Sequence, residues 1–305
     1  MHKAKTQFDP AVKDKQEQRT LFQQAVRQFK HNKMAVAGLI IILILLAIII
    51  ATVVIDIVTD QSFYNEHVIK QDLSLRLAKP SAEHIFGCDE YGRDLFLRII
   101  WGTRLSLTFG IAAIFLSVII GAPFGIIAGY YGKTTDNIIM RFMDVLLSVP
   151  YILLAMAIVA ALGKSTINLL IALSVSGIAK YARIARASVM VVKDNEYVEA
   201  ARAMGANDFT IMFKYILPNT LAPILVQLSL GIGDSILAVA GLSFLGLGVQ
   251  YPQAEWGAIL TAARTYMLQA WHVSIFPGIA LIISVIAFNL FGDGLRDALD
   301  PKLKR

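Results

Sequence analysis

One cysteine, Cys88, stands in 305 residues, and a lone thiol builds neither an intramolecular disulfide nor a cysteine-cluster metal site. Charge is scarce as well: 16% of the residues are Asp, Glu, Lys or Arg, against about 25% in ordinary soluble domains. The spacings of zinc proteases and the glycine-flanked nucleophile of hydrolases are missing. Two strings, Gly132-Lys133-Thr134 and Gly163-Lys164-Ser165, end as phosphate-binding loops do. Each lacks the earlier glycine, with Ile127 and Ile158 in those places, and neither follows a strand of an α/β unit. A nucleotide site on this chain is therefore excluded. The spans also carry too few ionisable residues for a membrane-embedded enzyme, so no catalytic residue and no cofactor of its own is expected.

What the chain has instead is apolar length. Hydrophobic residues make up 56%, above the roughly 45–50% of soluble domains, and the mean hydropathy is +0.63. Six runs have the length and composition to cross about 30 Å of hydrocarbon: Met34–Ile55, Leu105–Ala128, Ile138–Leu162, Ile167–Val192, Leu221–Leu245 and Val273–Phe291. The expected fold is an all-α polytopic membrane protein. The first run is too long for the apolar core of a signal peptide and reads as a retained anchor.

The net charge of +6 lies beside these runs rather than on a soluble, aromatic-rich surface, which argues for membrane lipid and against nucleic acid. Residues 1–33 hold eight bases and three acids. From Arg19 to His31, Leu21, Phe22, Ala25, Val26 and Phe29 share one helical face, as in a helix lying on the membrane surface. Lys180, Arg183 and Arg186 form one stripe in the last half of the fourth run, and Arg296, Lys302, Lys304 and Arg305 mark the C-terminal end. The positive-inside rule then puts both termini in the cytoplasm. On this reading residues 1–33 are a cytoplasmic tail, 34–55 an anchor, 56–103 an extracytoplasmic loop, 104–293 a five-helix core with a cytoplasmic loop at 193–218, and 294–305 a second tail.

That cytoplasmic loop has its own grammar. Glu199, Ala200, Ala201 and Ala203 favour helix, and Gly205 permits a left-handed residue at its end. Asn207 or Asp208 can cap a second short helix, which Pro218 is expected to close before the next run. From the residues alone, a plain helix–Gly–helix connector stays open. The order Glu199-Ala200-Ala201, three residues, Gly205 and then Leu217-Pro218 resembles the cytoplasmic loop of permease subunits in ABC importers. Tyr215 stands where that pattern has an apolar residue, and an aromatic ring can fill the same packing role.

Three further stretches carry the resemblance to the dipeptide, oligopeptide and nickel group of these permeases, on the side of its second permease. One is Gly87-Cys88-Asp89-Glu90-Tyr91-Gly92-Arg93-Asp94, with Cys88 where the group has Thr. The next is Ser243-Phe244-Leu245-Gly246-Leu247-Gly248 followed by Glu255-Trp256-Gly257. The last is Gly292-Asp293-Gly294-Leu295-Arg296-Asp297-Ala298-Leu299-Asp300-Pro301. Asp94 falls near the positive end of a helix, and the charged residues after it read as interfacial anchors. Gly241, Gly246 and Gly248 read as close-packing positions. Gly292 and Gly294 are expected to end the last helix, with Asp293 and Arg296 paired.

The resemblance implies a type I importer permease forming half of a pathway for di- or oligopeptides in the cell membrane. It implies as partners a related permease subunit, two ATPase subunits carrying ATP and Mg, and an extracytoplasmic binding protein. Glu199, Ala200, Ala201, Gly205, Leu217 and Pro218 would then couple the chain to an ATPase. A nickel chelate or other small solute is the alternative cargo, and a self-contained carrier or channel the alternative class. Asp234, inside the fifth run, reads either as a pathway-lining carboxylate or as a helix–helix hydrogen-bonding group.

Overall fold

The computed structural model describes residues 21–299. Its helices are α1 (Leu21–His31), α2 (Lys33–Val58), α3 (Leu95–Tyr131), α4 (Lys133–Leu147), α5 (Tyr151–Leu162), α6 (Thr166–Val192), α7 (Glu196–Ala203), the single turn α8 (Asp208–Thr210), α9 (Leu217–Phe244), α10 (Trp256–Ala263) and α11 (Trp271–Leu299). Among the described residues there is no strand, only the isolated bridge between Cys88 and Asp94. Helix α1 forms within the expected N-terminal helical stretch and packs on α11, where the Phe29 ring meets Phe291 edge-on at 5.6 Å. Arg19 and the bases before it, and Lys302, Lys304 and Arg305, lie outside the described residues.

The bundle is organised by α3 and α6, which touch backbone to backbone. A Cβ on Gly121 would overlap the Ile178 carbonyl, one on Gly125 the Ala182 carbonyl, and one on Gly129 would come within 2.9 Å of Val189. Ser117 adds a hydrogen bond to the Ser174 carbonyl at 2.8 Å. Small residues permit this approach where lipid offers no hydrophobic drive. The contacts climb together along both helices, so α3 and α6 run parallel, and the chain between them must cross back.

That return falls on the third span expected at Ile138–Leu162, and it is broken in the middle. Helices α4 and α5 meet at 85°, across Ser148, Val149 and Pro150. Proline has no N–H to continue the ladder and pushes the residue before it out of the α region. With twelve residues, α5 is about 18 Å long. The broken pair counts as one crossing, and five other helical runs are long and apolar enough to span.

Pairings elsewhere set the remaining directions. Gly38 lies against Ala287 and Leu290, and Gly294 against Ala35, so α2 and α11 are antiparallel. Gly110 meets Ile236, and Gly292 meets Leu230, placing α9 antiparallel to α3 and α11. The starts of α1 and α2, the end of α11 and the loop around Glu199 therefore share one end of the bundle. Segments 59–94, 163–165 and 245–270 occupy the other.

The close approach at Gly292 and Gly294 corrects an expectation. Both lie inside α11 rather than ending it, because they admit Leu230 and the α2 backbone. The Asp293–Arg296 pair is not formed among the described residues; the contact here is Asn32 Nδ2 to Asp297 Oδ2 at 3.3 Å. Of Gly241, Gly246 and Gly248, only Gly248 is packed, against Ser243. Gly246 is a turn residue with φ +76°, and Gly241 faces open space.

Replacing Gly125 by Val should cost about 1–3 kcal/mol, the usual range for overpacking, and lower the thermal midpoint of the purified protein. Gly241→Ala should leave that midpoint unchanged or raise it slightly, since alanine is the better helix former.

Candidate functional site

Two features stand out at the end of the bundle shared by the chain's two helical ends: a hairpin around Gly205 and a ladder of ion pairs leading away from it. The hairpin begins with α7, whose Val198 and Ala201 are fully buried. It closes in a Schellman motif. Ala206 N–H donates to the Ala201 carbonyl at 3.1 Å and Gly205 N–H to the Arg202 carbonyl at 3.0 Å. Gly205 has φ +83°, a conformation that a side chain would strain. Asn207 then caps α8, its Oδ1 accepting from Thr210 N–H at 2.8 Å.

Pro218 does not close this second helix. A π-helical turn, Ile211–Ile216, carries the chain without a break into α9. The wider turn absorbs the register change imposed by a residue with no N–H, and the Asn219 side chain donates to the Tyr215 carbonyl at 2.7 Å. Leu217 and Pro218 thus belong to the root of α9.

The hairpin is rooted firmly. Val189, Val198, Ile211 and Ile216 form a sealed cluster, with Ile126, Tyr130 and Tyr215 packed against it. Tyr215 fills the packing role expected of it. Tyr130 Oη donates to Asp208 Oδ1 at 2.7 Å, and Lys193 Nζ to the Gly129 carbonyl at 3.2 Å. Glu199, Ala200, Gly205 and Pro218 are exposed, Leu217 half-buried and Ala201 buried. Around the first three lies an apolar surface the sequence reading passed over: Met204, Phe209 and Phe213 are 77%, 65% and 55% exposed, with the two Phe rings 4.3 Å apart. Their signal was available as large apolar residues in an otherwise polar loop.

Each base of the α6 stripe meets an acid on a neighbouring helix. Arg186 grips Asp136 with two bonds of 2.5 and 2.6 Å. Arg183 reaches Asp144 at 2.7 Å, and Lys180 reaches Asp234 at 3.5 Å. The Asp234 side chain is 72% exposed, so it projects from the outer surface of this chain's bundle. Leu237 and Phe244 share its exposed stripe on α9.

At the opposite end the charges are buried. Asp94 caps α3, accepting from Leu97 N–H at 2.9 Å, and His84 Nδ1 lies 2.8 Å from its other oxygen. Arg93 donates through Nε to Asp89 at 2.7 Å and through Nη2 to Glu90 at 3.2 Å. Arg98 Nε lies 3.2 Å from the same Asp89 oxygen. Arg98 is only 3% exposed, so it is a member of a buried ionic cluster and not the interfacial anchor expected. Cys88 is buried next to it; burial, with Asp94 and Asp89 close by, pushes its thiol up to about 11. Glu255 caps α10, accepting from Gly257 and Ala258 N–H and from Ser106, each bond 2.8–3.0 Å.

No group of His, Cys, Asp and Glu among the described residues is arranged to hold a metal. What the site offers is a rigidly based, apolar-tipped knob and a charged outer face on crossing helices.

Residues 121–305 match the family described as the binding-protein-dependent transport system inner membrane component, and residues 20–80 match the N-terminal transmembrane domain of oligopeptide transport permease C. The chain belongs to this family: it is a non-catalytic, membrane-spanning permease subunit of an ABC transport system. It is 44% identical to the dipeptide transport system permease protein DppC of Alkalihalophilus pseudofirmus over 93% of this chain and 90% of that one. It is likewise 44% identical to the glutathione transport system permease protein GsiD of Pectobacterium atrosepticum, over 97% and 95%. A probable D,D-dipeptide transport system permease protein, DdpC of Escherichia coli, is 46% identical over 76% of this chain and 78% of its own length.

Asp89→Asn should destabilise the protein by about 3–5 kcal/mol, because two buried guanidiniums lose their shared carboxylate. Asp144→Asn, in a half-exposed pair, should cost about 0–1 kcal/mol. Thermal midpoints of the two purified variants check the contrast.

Proposed function

We propose that this chain forms half of the pathway of an ATP-driven importer of di- or oligopeptides and takes its driving force from a separate ATPase through the Gly205 hairpin. The observation that carries the reading is the hairpin's division of labour. Val198, Ala201, Ile211 and Ile216 are sealed into the bundle, while Glu199, Ala200, Met204, Phe209 and Phe213 face outward. An exposed apolar patch on a rigid base marks a protein docking surface.

In this mechanism the hairpin end is cytoplasmic. Met204, Phe209 and Phe213 sit in a cleft on the ATPase, and Glu199 pairs with a base or caps a helix there. ATP and Mg belong to that partner. When the ATPase dimer closes, the hairpin moves as one body because its Schellman turn and the Tyr130–Asp208 bond leave it no internal hinge. Its motion passes directly into α9, which follows without a break, and α9 carries Asp234.

A second, related permease subunit covers the Asp234 face, and the pathway runs between the two chains. The spans then switch between two packings biased by nucleotide on the partner. A carboxylate facing lipid is costly, so the exposure of Asp234 favours a wet, pathway-lining position. There it attracts the ammonium end of a peptide. An extracytoplasmic binding protein delivers the solute, and the names of the relatives favour short peptides as cargo.

Glu199→Lys and Gly205→Asp should leave membrane insertion and co-purification of the second permease intact while abolishing transport-coupled ATP hydrolysis in proteoliposomes. Solute uptake by this chain reconstituted alone, driven by an ion gradient, would overturn the reading.

A further inference from the structure

Three helices meet at the hairpin end of the bundle around a groove that neither the pathway nor the knob uses. Its volume is about 450 Å³, within the range of small-molecule sites. Helix α1 contributes Val26 and Phe29, α2 contributes Val36 and Leu39, and α11 contributes Leu295 and Leu299. These residues stand three or four positions apart on each helix, so each helix turns one face to the groove. The walls are held in place. Phe29 packs edge-on against Phe291, and a Cβ on Gly294 would come within 3.2 Å of the Phe29 ring.

Among the described residues the lining presents carbon only, and Lys30 takes part through its aliphatic stem. That chemistry selects the occupant. A loop or peptide strand would bring backbone N–H and C=O groups against walls that cannot pair them. Ordered water needs two or more polar partners. A hydrocarbon chain needs none. The groove also stands at the right depth. Leu39 lies six residues, about 9 Å, along the spanning helix α2 from Lys33. The inner end of the groove is therefore at the level of acyl chains, and the outer end, beside Leu299, at the level of headgroups.

The charge at the mouth has one dominant sign. From Arg19 to Ile55 the sequence contains no acid. Arg27, Lys30 and Lys33 are exposed, and Arg27 precedes Lys30 by about one turn on the same side of α1. On α11 at this end stand Asp293, Arg296 and Asp297, all exposed, and the Asp297 carboxylate accepts from Asn32 at 3.3 Å. The bases outnumber the acids, which suits an anionic head and not a neutral one.

We propose that the groove seats one acyl chain of an anionic phospholipid, whose phosphate is held at the mouth by Lys30 and Arg27. The lysine stem lies along the apolar wall while its ammonium reaches the head. So placed, the lipid fills the joint between α1, α2 and α11 and fixes α1 to the spans. The inference does not depend on which solute the pathway carries.

The test uses the full-length chain, purified in detergent with the subunits that accompany it and stripped of lipid. It is titrated with dioleoyl-phosphatidylglycerol and with dioleoyl-phosphatidylcholine, which share their tails and differ in head charge, and bound lipid is counted by native mass spectrometry. Phosphatidylglycerol should bind about tenfold tighter or more, the discrimination expected of one or two bases facing an anionic head. Lys30→Gln together with Arg27→Gln should bring the two affinities together. Val26→Trp fills the groove from an exposed position and should abolish the tight phosphatidylglycerol site. Ile50→Trp, on the exposed face of α2 near the other end of the span, should leave it intact. Equal affinity for the two lipids in the native chain, or tight phosphatidylglycerol binding that survives Val26→Trp, would overturn the site. A tight site that appears only once residues 300–305 are removed would make the chain's own tail the occupant and overturn it too.

Discussion

Backbone contact between α3 and α6 sets the plan of this protein. Gly121, Gly125 and Gly129 let two long helices lie parallel with almost no side chain between them, and parallel neighbours require the intervening chain to make a return crossing. The bent α4–α5 pair is that crossing. It places Asp136 and Asp144 along the outer side of α6, where Arg186 and Arg183 hold them. The ladder of ion pairs, the position of Asp234 and the common location of α1, the end of α11 and the hairpin all follow from this one seam.

The two ends of the bundle use charge in opposite ways. Toward the hairpin end Arg186–Asp136 is partly buried, while Arg183–Asp144 is half-exposed, where Coulomb attraction is weak and partners exchange at little cost. Around Asp89 they are sealed, where separation is expensive and geometry is fixed. The proposed switch between two packings needs weak pairs where helices move and fixed geometry where they do not. The soft pairs lie between helices that would have to slide, and the hard cluster joins a loop to the start of α3.

Local features were the legible ones. Gly205 announces a left-handed residue, Asn207 a cap and Asp94 the start of a helix, and each depends on atoms a few residues apart. The apolar runs gave the spans for the same reason. Features that depend on remote partners were not legible: Gly292 and Gly294 look like helix ends in a sequence, because a terminator and a close-approach glycine are the same residue. Arg98 looks like an interfacial anchor until Asp89 folds over it. The break at Pro150 was written plainly but lay inside a run apolar enough to read as one span. Pro218 misled in the other direction, since a π turn lets a helix continue past it. The exposure of Met204, Phe209 and Phe213 depends on which side of the hairpin turns to the bundle, and that is set by remote partners.

Cys88 lies at zero exposure, with its sulfur kept in the unreactive thiol form by its surroundings. Maleimides attack thiolates that they can reach, so the native chain is silent toward them. A cysteine introduced at any outward position therefore reports without background, and the water accessibility of the α9 stripe through Asp234 can be mapped residue by residue in the otherwise unaltered protein.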